Sequence, residues 1–155
     1  MLAKTHLAIA IFTILLFIPY ISGIAGKAIF SIVVLMATLL PDVDAGFSTI
    51  NKIRGLGFIG YFLRHRGWVH SFLPAVVISL VFAIFLPILA LPFFLGYSLH
   101  IFIDSFTMEG VMPFWPYKRN SNWHMKTGSY VETTLFVVFI IADFLFLVFQ
   151  IKRFL

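Results

Sequence analysis

His100 and Asp104 stand four residues apart in the run Leu99-His100-Ile101-Phe102-Ile103-Asp104. On a helix, positions i and i+4 share a face, so the imidazole and the carboxylate can hold one cation or two adjacent ones. Two polar groups hydrogen-bonded inside a bundle is the bland alternative. Ionisable groups inside apolar spans are costly and rare, however, which makes function the default. Pro41 ends an earlier apolar run and throws Asp42 and Asp44 forward together. One such carboxylate can bridge two metal ions while the other ligates or orients a ligand, although Asp after Pro is also ordinary turn chemistry. In His65-Arg66-Gly67-Trp68-Val69-His70, two histidines flank a glycine turn and Arg66 is placed to hold an anion. Interfacial anchoring would explain Arg66 and Trp68 but not the two histidines. His6 opens the first apolar run. The chain has no cysteine, so His and carboxylates are its only strong ligands.

The elements that position these residues follow from composition. The chain has 155 residues, enough for a single domain over 1–155. It is 61% hydrophobic with 20 phenylalanines and a mean hydropathy of +1.05. Soluble domains are roughly 45–50% apolar, and a soluble fold this small could not hide the excess, so lipid is the solvent. The expected fold is an all-α integral membrane helical bundle of about five transmembrane helices. Leu7 to Ile21 is the first span, with Thr5 as N-cap and Gly23 as stop, and it reads as a retained span without a signal-peptide cleavage site. Ala25 to Leu40 is the second, ended by Pro41. Gly46 to Trp68 mixes cations with apolar residues and fits an interfacial loop or short helix.

Phe72 to Phe106 would reach roughly 52 Å as one helix, well past the ~30 Å hydrocarbon core. Pro87 and Pro92 supply a break, giving a third span from Val69 to Ala90 and a fourth from Phe93 to Phe106. The fourth is short, so the bilayer thins there or the helix starts earlier. Thr107 to Ser129 is a polar loop with headgroup-level aromatics, and Tyr130 to Ile151 is the fifth span.

Five alternating crossings put Lys4, Lys52, Arg54, Arg64, Arg66, Lys118, Arg119 and Lys126 on one side, and only Lys27, Lys152 and Arg153 on the other. The positive-inside rule makes the side with eight cations cytoplasmic, and all the candidate ligands lie there. The net charge of +5 therefore reports orientation; no nucleic-acid partner is expected, and membrane lipid is. On the same side, His124 reads as solvated. Glu132 reads as a carboxylate favoured by the helix dipole, where Glu132→Gln should do little. Asp143 lies deep in the fifth span and is expected to be protonated or paired with a neighbouring helix.

Taken together, Thr5-His6, Leu40-Pro41-Asp42-Val43-Asp44, His65 through Ser71, His100 through Asp104, Gly110 and Phe114-Trp115-Pro116 resemble the YdjM-like family of membrane-bound metal-dependent hydrolases. The resemblance covers residues 5–117, leaving out the fifth span and His124. It implies an inner-membrane hydrolase distantly related to the all-α zinc-dependent phospholipase C and single-strand nuclease group. Those soluble enzymes bind a zinc cluster through His and Asp, including a His-x-x-x-Asp pair like His100/Asp104, and through their mature N-terminal amine. Their later His-x-x-x-Glu has no clear counterpart here.

The functional expectation is metal-assisted hydrolysis of a phosphoester, with a small-molecule, lipid or lipid-linked phosphate as substrate. The metal ligands would be His6, Asp42, His65, His70, His100 and Asp104. Asp44 would be a ligand or general base, and Arg66 would bind phosphate. One to three divalent ions are expected, zinc first, with manganese or iron compatible. A non-catalytic metal-bearing scaffold or partner-binding protein is the main alternative. A transporter is a lesser one, because transporters place ionisable groups near the midplane.

Overall fold

The computed structural model describes residues 1–42, 68–117 and 119–154. Asp44, His65, Arg66 and all of the expected interfacial segment except Trp68 lie outside the described residues. Regular structure among the described residues is helical: α1 (Ala3–Phe17), α2 (Ile24–Leu39), α3 (Phe72–Phe85), α4 (Pro87–Asp104) and α5 (Tyr130–Phe154). Short 3-10 turns at Ile18–Tyr20, Leu40–Asp42 and Trp68–His70 flank them. Two isolated bridges, Thr107 with Met125 and Val111 with Ser121, tie together the loop between α4 and α5.

The chain is thus an all-α membrane bundle, and among the described residues four helices are long and apolar enough to cross a bilayer. The third expected crossing is a shorter helix. The 14 residues of α3 rise about 21 Å, less than the ~30 Å hydrocarbon core.

Three boundaries differ from the sequence reading. α1 starts at Ala3, and Thr5 lies inside it rather than capping it. Thr5 reads as the cap before the helix and His6 as the start of the first span, and both are fully buried. Gly23, at φ +72°, caps the start of α2 instead of stopping the first span, which closes through the 3-10 turn holding Pro19. The break after α3 falls at Leu86, so α4 begins at Pro87 and carries Pro92 inside it. Proline at the first helical position gives up an N–H that had no intrahelical partner anyway, whereas Pro92 removes a bond within the helix. The chain breaks at the proline that lets α4 run for 18 residues, long enough to cross.

Helices in lipid gain little from burying apolar surface against one another, so close backbone packing and satisfied polar groups hold them. In space α3 packs on α4, α4 on α2, α2 on α1, and α1 on α5. The α2–α4 contact is the tightest. A Cβ at Gly96 would come within 2.4 Å of the Val34 carbonyl oxygen and 2.9 Å of the Ala37 Cβ. Thr38 Oγ1 donates to the Val34 carbonyl of its own helix (2.8 Å) and, across this contact, to the Gly96 carbonyl (3.2 Å). Thr13 and Ser31 donate to the carbonyls four residues before them, which hides their hydroxyls from lipid. Outside the packed seams Leu80, Ile84, Phe144 and Leu145 are exposed, an apolar surface suited to lipid.

Because successive helices alternate in direction along the chain, five chain ends gather at one end of the bundle: the starts of α1 and α5, the turn after α2, the turn before α3, and the end of α4.

Candidate metal centre

Each candidate ligand is set by the element that carries it. His100 and Asp104 share the inner face of the last turn of α4, as their spacing requires. His6 lies one turn into α1, and its ring stacks on His100 with centroids 4.3 Å apart and planes 25° apart. Asp42 ends the 3-10 turn that follows α2, where Pro41 stops the helix. His70 ends the 3-10 turn before α3. Tyr97 of α4 anchors that turn by donating its hydroxyl to the Val69 carbonyl at 2.6 Å.

Asp42, His70, His100 and Asp104 each offer a ligand atom, and the four atoms lie within 4.8 Å of one another. His100 Nε2 is 3.6 Å from Asp42 Oδ1 and 3.5 Å from Asp104 Oδ2, and His70 Nε2 is 3.8 Å from Asp42 Oδ1. A tetrahedral ion with bonds of ~2.0–2.1 Å holds its ligand atoms about 3.3 Å apart. Those three pairs stand close to that spacing, and the set as a whole, within 4.8 Å, must draw together to meet it.

The histidines are oriented by their other nitrogens. His100 Nδ1 meets the Thr38 carbonyl at 2.8 Å and His6 Nδ1 the Leu2 carbonyl at 3.3 Å. A carbonyl can only accept, so each contact puts a ring proton on Nδ1, and in the neutral imidazole Nε2 keeps its lone pair. Both Nε2 atoms are buried and make no hydrogen bond among the described residues. They face carboxylate oxygens, acceptors themselves. A neutral ring here sets acceptor against acceptor in a buried place, a mismatch that a metal ion between them, or a second proton on the ring, relieves. The donor set thus fits a divalent metal.

Asp104 is shared. Its Oδ2 faces His100, while Oδ1 lies 2.7 Å from the Met1 amine, which donates to it, and 3.3 Å from His6 Nε2. The histidines and Asp104 are buried, but the Asp42 side chain is 42% exposed, so the cluster opens on that side.

The structure therefore brings together His6, Asp42, His70, His100 and Asp104 of the expected ligands, while His65, Asp44 and Arg66 lie outside the described residues. His124 is exposed and apart from the cluster. Glu132 has a larger role than the sequence assigns it. It is 1% exposed. Its Oε1 accepts from Leu2 N (2.6 Å) and Thr5 Oγ1 (3.0 Å), and its Oε2 from Gly128 N (2.6 Å). It fixes the start of α1, and with it His6. Thr38 is the other unanticipated contributor, acting through its carbonyl, which no side-chain pattern announces.

The family model for the YdjM inner membrane protein matches residues 1–154. The chain belongs to this family. Searches among curated proteins and among solved structures give no match. As a YdjM family member it is a multi-pass inner-membrane protein. The family match runs beyond residue 117, where the recognisable motifs end, and takes in α5 and Glu132.

Proposed function

We propose that this YdjM family protein is a membrane-bound, metal-dependent hydrolase of phosphoesters. The observation that carries the reading is the buried Asp42–His70–His100–Asp104 cluster, with imidazole lone pairs turned onto carboxylates and one side open. Asp42, His70, His100 and Asp104 would hold one divalent ion, with zinc the first choice. His6 and Asp104 Oδ1 would favour a second beside it. A bound divalent cation supplies an activated water and neutralises charge developing on a phosphoryl group. The residues do the rest. The carboxylates of Asp42 and Asp104 set the charge of the site, the Nδ1–carbonyl contacts of His6 and His100 keep those rings from rotating, and the exposed flank of Asp42 admits substrate and water. Arg66 is assigned to the substrate phosphate and Asp44 to metal binding or proton removal. The site end is assigned to the cytoplasm on the distribution of cations.

A closed structural metal site is the competing reading, favoured by four protein ligands, the number that completes a tetrahedral shell. The half-exposed Asp42 favours the open one. Detergent-purified protein loaded with zinc or manganese, screened against phosphomonoesters, phosphodiesters and phospholipids, separates them. The hydrolase reading expects turnover that chelation abolishes and metal restores. Tightly bound metal with no turnover on any class would support the structural site instead.

A further inference from the structure

Tyr97, His100 and Asp104 stand at i, i+3 and i+7 of α4, the spacing of one helix face. The last two carry ligand atoms of the cluster. Tyr97 carries none, yet it is buried and its hydroxyl donates at 2.6 Å to the carbonyl of Val69, the residue before His70. That carbonyl and the His70 N–H belong to one rigid peptide plane. The bond therefore fixes the peptide from which His70 departs.

His70 needs such a hold more than the other ligands do. His100 and Asp104 belong to an 18-residue helix, and Asp42 follows α2, which is pressed onto α4 at Gly96. His70 ends a three-residue turn. Ser71 Oγ to the Trp68 carbonyl and Leu73 N to Ser71 Oγ close within the segment itself, and Phe72 N to the Pro113 carbonyl leads to the loop after α4. The bond from Tyr97 leads to the helix that bears His100 and Asp104. His70 Nε2 stands 3.8 Å from Asp42 Oδ1, and its ring lies 5.7 Å from that of His100. Metal–ligand distances hold to within about 0.2 Å, so a swing of the turn too small to disturb the core takes this imidazole out of range. A buried tyrosine hydroxyl commonly does no more than find an acceptor. Here the acceptor is one bond from the backbone of a ligand residue.

We propose that Tyr97 is a positioning residue of the metal centre. Through the Val69 peptide it holds His70 against Asp42 and His100, so α4 sets three of the four clustered ligands. The consequence for metal binding rests on the site proposed above, but the hold itself can be tested without metal.

Tyr97→Phe keeps the ring, packed on Phe93 with centroids 5.6 Å apart, and removes the hydroxyl. With no native cysteine in the chain, His70→Cys reports the turn through its rate of reaction with a small maleimide. The rate is measured on detergent-purified full-length protein with chelator present. Tyr97→Phe should raise it roughly five-fold, the effect of one lost hydrogen bond on local opening. The rate of Ala10→Cys, buried in the α1–α2 core, should not change. An unchanged rate for His70→Cys, or an equal rise for both, overturns the hold. In competition with a chelator for zinc, Tyr97→Phe should bind about 10–100-fold more weakly than wild type. Tyr97→Phe combined with His70→Ala should bind no more weakly than His70→Ala alone, because the two changes act on one ligand. Losses that add would mean Tyr97 acts elsewhere than through His70 and would overturn the assignment. Wild type that holds no zinc removes the metal centre, and the thiol rates then still decide whether Tyr97 holds His70.

Discussion

The carboxylate of Glu132 accepts a hydrogen bond from the backbone N–H of Leu2 at 2.6 Å, joining residues 130 positions apart. The same carboxylate takes Thr5 Oγ1 and Gly128 N, so the start of α1 is pinned to the start of α5. His6 sits one turn further along α1. In Glu132→Gln one oxygen becomes an amide donor facing a donor, and Glu132→Ala takes the acceptor from the buried Thr5 hydroxyl and from the Leu2 and Gly128 N–H groups. A buried donor left unsatisfied costs ~1–3 kcal/mol. Thermal unfolding in detergent should show Glu132→Gln clearly destabilised and Glu132→Ala more so. A Gln variant as stable as wild type would mean the carboxylate serves only the helix dipole.

Metal content should divide the cluster into two tiers. Asp104 faces His100 with one oxygen and His6 with the other, so Asp104→Ala removes a ligand from every arrangement the site allows. Purified Asp104→Ala should carry almost no tightly held metal. His6 lies beside the four-residue cluster rather than in it. His6→Ala should keep one ion and lose affinity by about 10–100-fold, as when a neighbour that orients ligands is removed. Elemental analysis and competition with a chelator read both quantities. Equal metal in wild type and Asp104→Ala, with helicity intact, would take Asp104 out of the site.

Much of this was legible in the sequence because the lipid phase simplifies the code. Five apolar runs gave five helices, and His100/Asp104 and Pro41-Asp42 were visible as polar groups where lipid tolerates none without reason. What stayed hidden was carried by the backbone or by distance. The Thr38 carbonyl that orients His100 has no side-chain signature. The clamp of Glu132 on Leu2 requires knowing that α1 and α5 start side by side. Between Pro87 and Pro92 the sequence left the break open, since both residues break helices locally; the earlier start it allowed for the short fourth span is the one α4 takes.

Gly96 offers a test of how tightly α2 and α4 must close. Alanine is the better helix former by about 1 kcal/mol, yet its Cβ would stand 2.4 Å from the Val34 carbonyl oxygen, a backbone atom with no room to rotate away. Overpacking of this kind costs ~1–3 kcal/mol, so the net effect of Gly96→Ala should be destabilising. Prying the helices apart also lengthens the His100 Nδ1–Thr38 carbonyl contact, now 2.8 Å. Both the unfolding temperature and the metal affinity should fall in Gly96→Ala. A fall in stability alone would show that His100 keeps its orientation without that carbonyl.

Orientation in the membrane can be read with an impermeant thiol reagent, since the chain has no native cysteine. Asn120 is exposed in the loop at the cluster end, and Tyr20 is exposed at the opposite end of α1. With the cation-rich end in the cytoplasm, Tyr20→Cys should label in intact cells and Asn120→Cys only after the membrane is opened. The reverse pattern would put the metal centre on the outer face and call for a substrate there.

Asp143 sets apart the two uses of a charge in a span. It is 8% exposed, and both of its carboxyl oxygens are buried without a hydrogen-bond partner among the described residues, so the pairing with a neighbouring helix expected from sequence is not formed there. It occupies the α5 face whose Phe139 and Phe146 rings pack on Phe12 of α1. Lower on that face Gln150 donates to the Leu15 carbonyl at 2.5 Å, so the one polar side chain is satisfied and the other is not. A buried polar group without a partner weakens a fold, and an apolar replacement of similar volume removes the cost. Asp143→Leu should therefore unfold at a temperature equal to or above that of wild type, with Asp143→Asn in between, and metal content at the distant cluster should not change. A stabilised Asp143→Leu that loses activity would mark Asp143 as a working residue held at the expense of stability. A destabilised one would mean the carboxyl has a partner that the α1–α5 seam does not supply.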